Sequence, residues 1–171
     1  PVMLVMPADH AVRDVKALHA ALEEGALLAE AGHIVAFGVV PTGPATGYGY
    51  MQAGDRLDGA SKASESSTAR RISAFVEKPD LDTAKTYIDS GDWLWNSGMS
   101  VVRASVWLSE LGRQSPAILG ACRAAHHNGH QDGDFYRPGA DEFIACPSDS
   151  IDYAVMESAV SGLTDPATAT V

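Results

Sequence analysis

Two adjacent residues of opposite charge, Glu77 and Lys78, follow an apolar stretch near the middle of the chain. Residues 71–76 are typical of a strand entering a core, and Pro79 ends its ladder because proline has no amide proton. In α/β folds ligands bind where strands end. A carboxylate there can accept hydrogen bonds from hydroxyl groups, and an ammonium can bind an anion. Since neighbouring strand residues point to opposite faces, Glu77 and Lys78 need not pair with each other. The alternative to a ligand site is an ordinary strand end with two solvated charges.

A second carboxylate, Asp9, also follows a predicted strand. Residues 2–6 form a short continuous apolar run, which is typical of a central parallel strand. A carboxylate at the carboxyl end of such a strand is a usual metal ligand in α/β sheets. A plain turn aspartate is equally consistent with this position.

Three other positions suit ligand binding in different ways. Asn96 lies near the start of a predicted strand, and its amide both donates and accepts, which suits sugar hydroxyls. Gly49 belongs to a glycine-rich loop over residues 41–50 that allows a backbone amide to approach a ligand closely. That loop lacks the spacing and following helix of a dinucleotide-binding loop. Asp152 precedes a predicted helix, where capping the helix is the simpler interpretation.

The elements that would position these residues alternate along the chain. Residues 2–6, a helix capped by Asp14 and ended by Gly32, and a strand over residues 34–40 predict a βαβ unit and a partly parallel sheet. The further predicted elements are an exposed hairpin or loop over 53–69, helices over 82–88, 105–111, 116–125 and 153–160, strands from 93 and over 143–146, and a loop-like end over 164–171. The histidines of residues 126–130 have no carboxylate or thiol at ligand spacing, so we expect a solvated loop.

Composition limits the classes of partner. The 171 residues suffice for one domain with a core, and the formal net charge of -10 argues against nucleic acid or an anionic membrane as partner. The chain has no apolar run long enough for a membrane span and no signal-peptide pattern. Two cysteines predict no disulfide framework and favour a reducing compartment, so we expect a cytoplasmic protein.

The motifs together resemble the nucleotidyltransferase domain of bacterial mannose-1-phosphate guanylyltransferase, also called GDP-mannose pyrophosphorylase. Six segments match this family in its own order, and they span nearly the whole chain. They are residues 5–10, 37–42, 46–50, 75–80, 94–99 and 149–157. The last segment separates this family from related uridylyl- and thymidylyltransferases better than the Glu-Lys-Pro motif does.

The resemblance implies a Rossmann-like α/β fold with a mixed, mostly parallel sheet flanked by helices. It implies the reaction of mannose 1-phosphate with GTP to give GDP-mannose and pyrophosphate, an activity of polysaccharide biosynthesis. By resemblance, Lys78 holds the sugar phosphate, and Glu77 and Asn96 hold mannose hydroxyls. The Gly49 amide supports the sugar, and Asp9 binds Mg²⁺. Asp152 is a weaker candidate for substrate binding.

The chain also departs from the family's pattern. A Gly-rich loop with a catalytic Arg and a later Gly-Trp-Ser-Asp segment with a second metal-binding Asp are absent, and Gly43 and Ala45 replace residues that are usually charged. We therefore expect residues 1–171 to be a single partial domain, an internal portion with the sugar half of the site. We expect it to make no GDP-mannose alone. Another sugar-1-phosphate nucleotidyltransferase, a non-catalytic sugar-phosphate-binding domain and homo-oligomer formation remain open.

Overall fold

The computed structural model describes residues 1–57, 69–150, 152–156 and 167–170. Within these residues, strands and helices are interspersed along the chain, as in an α/β protein. The elements are β1 (Val2–Val5), α1 (Val15–Ala31), β2 (Ile34–Val39), β3 (Tyr50–Arg56), β4 (Arg70–Val76), α2 (Leu81–Ser90), β5 (Trp93–Arg103), α3 (Ala104–Gln114), α4 (Pro116–His127), β6 (His130–Asp132), β7 (Phe135–Arg137), α5 (Ala140–Ile144), a π-helical turn (Asp152–Met156) and β8 (Ala167–Thr170).

Six of these strands form one mixed sheet in the order β1-β5-β2-β8-β4-β3, and β5 also pairs with β3. The predicted mixed α/β architecture is therefore confirmed. Strands β1, β2, β3 and β8 run in one direction, and β4 and β5 run in the other. The reversed strands lie between the others, so among the described strands β2 and β8 form the one parallel pair. Most neighbouring strands in the described sheet are antiparallel, so the prediction of a mostly parallel sheet is wrong.

The first strand is not the central strand that its apolar run predicted. Within the described residues β1 pairs with β5 alone, in antiparallel register from Val2 opposite Arg103 to Val5 opposite Ser100. Val2, Leu4, Val5 and Met6 remain 37–46% exposed. An apolar run predicts a strand, but it does not specify the strand's neighbours.

Helix α1 covers one face of the sheet. The Asp14 carboxylate accepts a hydrogen bond from the Ala17 N–H at 3.0 Å, and Gly32 ends the helix with φ +106°, as its sequence signals predicted. Its buried residues pack on Val35 and Phe37 of β2. A fully buried leucine such as Leu28 contributes roughly 1.5–3 kcal/mol, so this face is a substantial part of the core.

The opposite face of the sheet is covered by α3 and the π-helical turn. Ala154, Val155 and Met156 are buried against Met51 and Phe75 of the sheet. Ser115, between α3 and α4, donates its hydroxyl to the Ala154 carbonyl at 3.2 Å. These contacts fix the position of Asp152, the first residue of the turn.

The structure differs from the sequence predictions in several segments, because tertiary contacts decide their conformation. Residues 143–146, predicted as a strand, belong instead to the end of α5 and the chain after it. Residues 167–170, predicted as loop, form β8 between β2 and β4. Helix α2 begins at Leu81, one residue before the predicted start at residue 82, and is capped by Asp80. Residues 58–68 of the predicted hairpin and 157–160 of the last predicted helix lie outside the described residues.

The predicted helices over 105–111 and 116–125 are confirmed as α3 and α4. Residues 130–137 form the exposed hairpin of β6 and β7. None of the helices in the described part of the chain has the length and apolar character needed to cross a bilayer.

Candidate functional site

The central charged pair lies directly after β4, where the backbone leaves strand geometry. Lys78 has φ +47°, a left-handed conformation that costs a residue with a Cβ roughly 1–2 kcal/mol. Its backbone N–H donates to the Tyr48 carbonyl at 3.3 Å, which ties the glycine-rich loop to the end of β4. This turn brings the Lys78 ammonium within 3.2 Å of the Glu77 carboxylate. The two side chains therefore form an ion pair, although neighbours in a continuous strand would point apart.

The two members of this pair differ in exposure. The Glu77 side chain is 9% exposed, whereas that of Lys78 is 58% exposed. A buried carboxylate with one oxygen near an ammonium keeps lone pairs for hydroxyl donors, and an exposed ammonium can reach an anion. These exposures suit the roles predicted from the sequence for the pair, and those roles stay a prediction.

Gly49 lies against Glu77. A Cβ placed on Gly49 would be 2.5 Å from the second Glu77 carboxylate oxygen and 3.4 Å from Asn96 Cβ. The Gly49 carbonyl accepts a hydrogen bond from the Asn96 backbone N–H at 2.8 Å. An alanine here would therefore displace the Glu77 carboxylate, and the loop, β4 and β5 meet at this residue.

Asn96 lies at a bulge in β5. Gly38 and Ala36 of β2 are opposite Asn96 and Ser100, so β5 carries extra residues between these pairs, and Gly98 within them has φ +72°. The side-chain oxygen of Asn96, Oδ1, accepts a hydrogen bond from the Gly98 N–H at 3.1 Å. Its Nδ2 donates to the Asp152 carboxylate, also at 3.1 Å. The amide is thus held at both ends, and within the described residues the second N–H of Nδ2 has no partner and can donate to a ligand.

Asp152 completes this group of side chains. Burial raises the pKa of its carboxyl, and the negative charge of Glu77 raises it further, while the Asn96 amide and the Lys78 ammonium lower it. The charge of Glu77 therefore acts on the Asp152 carboxyl across the site. The Asp152 carboxylate accepts a hydrogen bond from the Asn96 amide, so Asp152 both begins the helical turn and contacts the site.

Asp9 does not join this group. It is exposed in the turn after β1, and its carboxylate forms no hydrogen bond or ion pair within the described residues. The chain just before it does approach β5, because a Cβ on Gly98 would lie 3.3 Å from Pro7 Cγ. No group of three or more His, Cys, Asp and Glu side chains in the described residues is arranged to hold a metal.

A single exposed carboxylate nevertheless fits Mg²⁺, which takes one or two protein carboxylates and completes its shell with water and substrate phosphate. The predicted metal ligand Asp9 thus has suitable chemistry, and its role stays a prediction.

The structure brings together five of the six predicted residues, Gly49, Glu77, Lys78, Asn96 and Asp152. The sequence reasoning missed the backbone turn at Lys78 and its hydrogen bond to Tyr48. Proline disfavours helical backbone in the preceding residue but does not specify a left-handed one, so the motif carried no signal for it. The bulge at Gly98 had a signal in Asn-Ser-Gly, a turn-forming sequence.

This arrangement can bind a polyhydroxylated anion. The Glu77 carboxylate supplies acceptors for hydroxyls, the oriented Asn96 amide supplies a donor, and the exposed Lys78 ammonium supplies the cation for an anionic group.

Comparison with known proteins gives a consistent result. The protein-family model described as Nucleotidyl transferase matches residues 1–142. The xanthan biosynthesis protein XanB of Xanthomonas campestris is 48% identical over 166 residues, which are 97% of this chain and 33% of XanB. The mannose-1-phosphate guanylyltransferase ManC of Salmonella typhimurium is 45% identical over 166 residues, which are 97% of this chain and 34% of ManC. The chain spans about a third of the length of these curated relatives.

Solved structures share the fold. A structure described as mannose-1-phosphate geranyltransferase from Thermus thermophilus superposes with a TM-score of 0.80 at 30% identity, over 99% of this chain and 44% of that one. A structure described as mannose-6-phosphate isomerase from Helicobacter pylori gives a TM-score of 0.83 at 29% identity, over 99% of this chain and 62% of that one.

Proposed function

Because this chain belongs to the nucleotidyl transferase family, we propose that the protein makes GDP-mannose and pyrophosphate from mannose 1-phosphate and GTP. The names of relatives such as ManC support the choice of substrates. The observation that carries the proposal is the buried Glu77 carboxylate and the exposed Lys78 ammonium at one strand end, beside Gly49 and Asn96. Together they match a ligand with hydroxyls at one end and a phosphate at the other.

In the proposed reaction an oxygen of the sugar phosphate attacks the α-phosphorus of GTP. A new P–O bond forms there, and the bond from the α-phosphorus to the bridging oxygen breaks. Pyrophosphate leaves with the electron pair. The work of the protein in such a transfer is positioning and charge neutralisation.

The residues of this chain divide that positioning between them. Lys78 holds the phosphate of the sugar phosphate by a charge-assisted hydrogen bond. Glu77 accepts from mannose hydroxyls, Asn96 donates its remaining N–H to one, and the Gly49 amide supports the ring. Asp9 would hold Mg²⁺, which offsets phosphate charge when bound.

We also propose that the reaction takes place in the cytoplasm and serves polysaccharide biosynthesis. The name of the relative XanB supports the second statement. The unpaired thiols of Cys122 and Cys146 fit a reducing compartment.

Pyrophosphate release by the full-length protein tests the proposal. We expect turnover with mannose 1-phosphate, GTP and Mg²⁺, and much less with glucose 1-phosphate or with another nucleoside triphosphate. Turnover that favours glucose 1-phosphate would assign the protein to a different sugar nucleotide. Mannose 1-phosphate binding by calorimetry without any turnover would indicate a non-catalytic domain. The same assay on residues 1–171 tests our expectation that this portion is inactive alone.

A further inference from the structure

The hydrogen bonds of Asn96 fix which of its two amide atoms faces the site. Its side-chain oxygen accepts a hydrogen bond from the Gly98 N–H, and its Nδ2 donates one to the Asp152 carboxylate, both at 3.1 Å. If the amide rotated by half a turn, its oxygen would meet the Asp152 carboxylate and its NH₂ would meet an N–H donor. Both contacts would then be repulsive, so these partners allow one orientation.

Asp152 is itself held firmly. The three residues that follow Tyr153 in the π-helical turn are 8%, 0% and 5% exposed. The Ala154 N–H donates to the Ser150 carbonyl at 2.8 Å, and the Ala154 carbonyl accepts from Ser115. A carboxylate on such an anchored turn can impose its geometry on a partner that lies 56 residues earlier in the chain. Single π-helical turns occur frequently at functional sites.

Asn96 lacks such anchoring at its side chain. It stands at the end of a bulge, opposite Gly38 of β2, and its amide makes two hydrogen bonds, one from the Gly98 N–H and one to Asp152. Its orientation therefore depends on Gly98 within its own strand and on Asp152 from outside it.

We propose that Asp152 is a positioning residue that acts through Asn96. It accepts from one N–H of Nδ2, so that the second N–H is directed at a hydroxyl of the sugar phosphate. Asp152 does not contact the substrate or a metal in this scheme. The inference rests on the proposed function and deepens it, since it separates residues that touch the sugar from one that orients them.

A double-mutant cycle in the full-length protein tests this proposal. The variants are Asp152→Ala, Asp152→Asn, Asn96→Ala and the double alanine variant. We expect Asp152→Ala to raise the KM for mannose 1-phosphate about tenfold, the scale of one charge-assisted hydrogen bond, without changing the KM for GTP. Asp152→Asn retains an acceptor oxygen and should recover most of that loss. In the Asn96→Ala background, Asp152→Ala should have no further effect.

Two results would overturn the proposal. An equal effect of Asp152→Ala with and without Asn96 would mean that Asp152 contacts the ligand directly. A loss in Asp152→Asn as large as in Asp152→Ala would mean that the charge itself is needed, as for a metal ligand.

A second measurement keeps the test independent of the proposed function. In protein labelled with ¹⁵N at asparagine, the Asn96 side-chain signals are identified by their loss in Asn96→Ala. We expect a hydrogen-bonded proton with slow exchange in the wild type and in Asp152→Asn, and fast exchange in Asp152→Ala. Unchanged exchange in Asp152→Ala refutes positioning, whereas absent turnover in the wild type refutes only the proposed reaction.

Discussion

Substitution of Gly49 by alanine tests the close approach on which the site depends. The new Cβ would lie 2.5 Å from a Glu77 carboxylate oxygen, which must withdraw by about 1 Å to reach ordinary contact. The other neighbours, Asn96 Cβ and Phe75 Cζ, are already at a tolerable 3.4 Å. The backbone of Gly49 is not in the left-handed region, so alanine causes no strain there. The perturbation is therefore a displacement of one carboxylate.

The size of the effect follows from what Glu77 would lose. A hydrogen bond to a charged group contributes about 1.5–3 kcal/mol, which corresponds to roughly 10- to 100-fold in affinity. A displacement of 1 Å in a positioned group can reduce the rate by about 10²-fold. We expect Gly49→Ala to raise the KM for mannose 1-phosphate by about 10- to 100-fold. The free energy of unfolding should change by less than about 1 kcal/mol, because alanine also restricts the unfolded chain.

Gly47 provides a matched control in the same loop. A Cβ at Gly47 would have no heavy atom of the described residues within 4 Å, so Gly47→Ala should leave the KM for mannose 1-phosphate unchanged. Both variants are assayed for pyrophosphate release at varied mannose 1-phosphate and for unfolding in urea. Wild-type KM in Gly49→Ala, or an equal increase in Gly47→Ala, would refute the assignment of Glu77 as a sugar ligand.

Four further predictions address the other groups. Lys78→Ala should raise the KM for mannose 1-phosphate at least tenfold and leave that for GTP nearly unchanged, as steady-state kinetics would show; an unchanged KM excludes the phosphate contact. The free energy of unfolding in urea should be about 1 kcal/mol higher for Lys78→Gly than for Lys78→Ala, because glycine adopts φ +47° without steric strain. Equal free energies would show that the backbone at residue 78 is not strained. Asp9→Asn should weaken Mg²⁺ binding in calorimetry with nucleotide present, and equal affinity would make Asp9 a turn residue. Because the pKa of Asp152 is raised, the folded state binds the carboxyl proton more tightly than the unfolded chain does. The free energy of unfolding of the wild type should therefore fall relative to that of Asp152→Asn as the pH rises above 3.8, the ordinary pKa of the group. Parallel pH profiles of the two proteins in urea unfolding would refute this prediction.

The parts of the fold that local signals specify were predictable from sequence. Helix α1 has its capping aspartate and its terminal glycine, and β2 is a continuous apolar run. In contrast, β8 consists of alternating alanine and threonine, which carry little pattern, and its strand state depends on pairing with β2 and β4. Phe143 is 64% exposed in α5, so its apolar character did not indicate burial.

The candidate site shows the same division. Glu77, Asn96 and Gly49 could be chosen as candidates from the sequence because their residue types lie beside strand ends or in a glycine-rich loop. The ion pair of Glu77 with Lys78 depends on a left-handed turn, and the bond from Asn96 to Asp152 joins distant segments. Neither contact has a local sequence signature.

Strand β5 has a consequence for the order in which the protein folds. It pairs with β1, β2 and β3, all of which precede it in the chain, and through Asn96 it contacts a turn 56 residues later. Contacts of such high sequence separation form slowly, because long loops must close before these contacts provide any stabilisation. The site should therefore be assembled late, when nearly all of the sheet is in place. Partly folded forms would then lack the ligand site altogether, and bound sugar phosphate would protect the whole sheet against hydrogen exchange rather than one local segment.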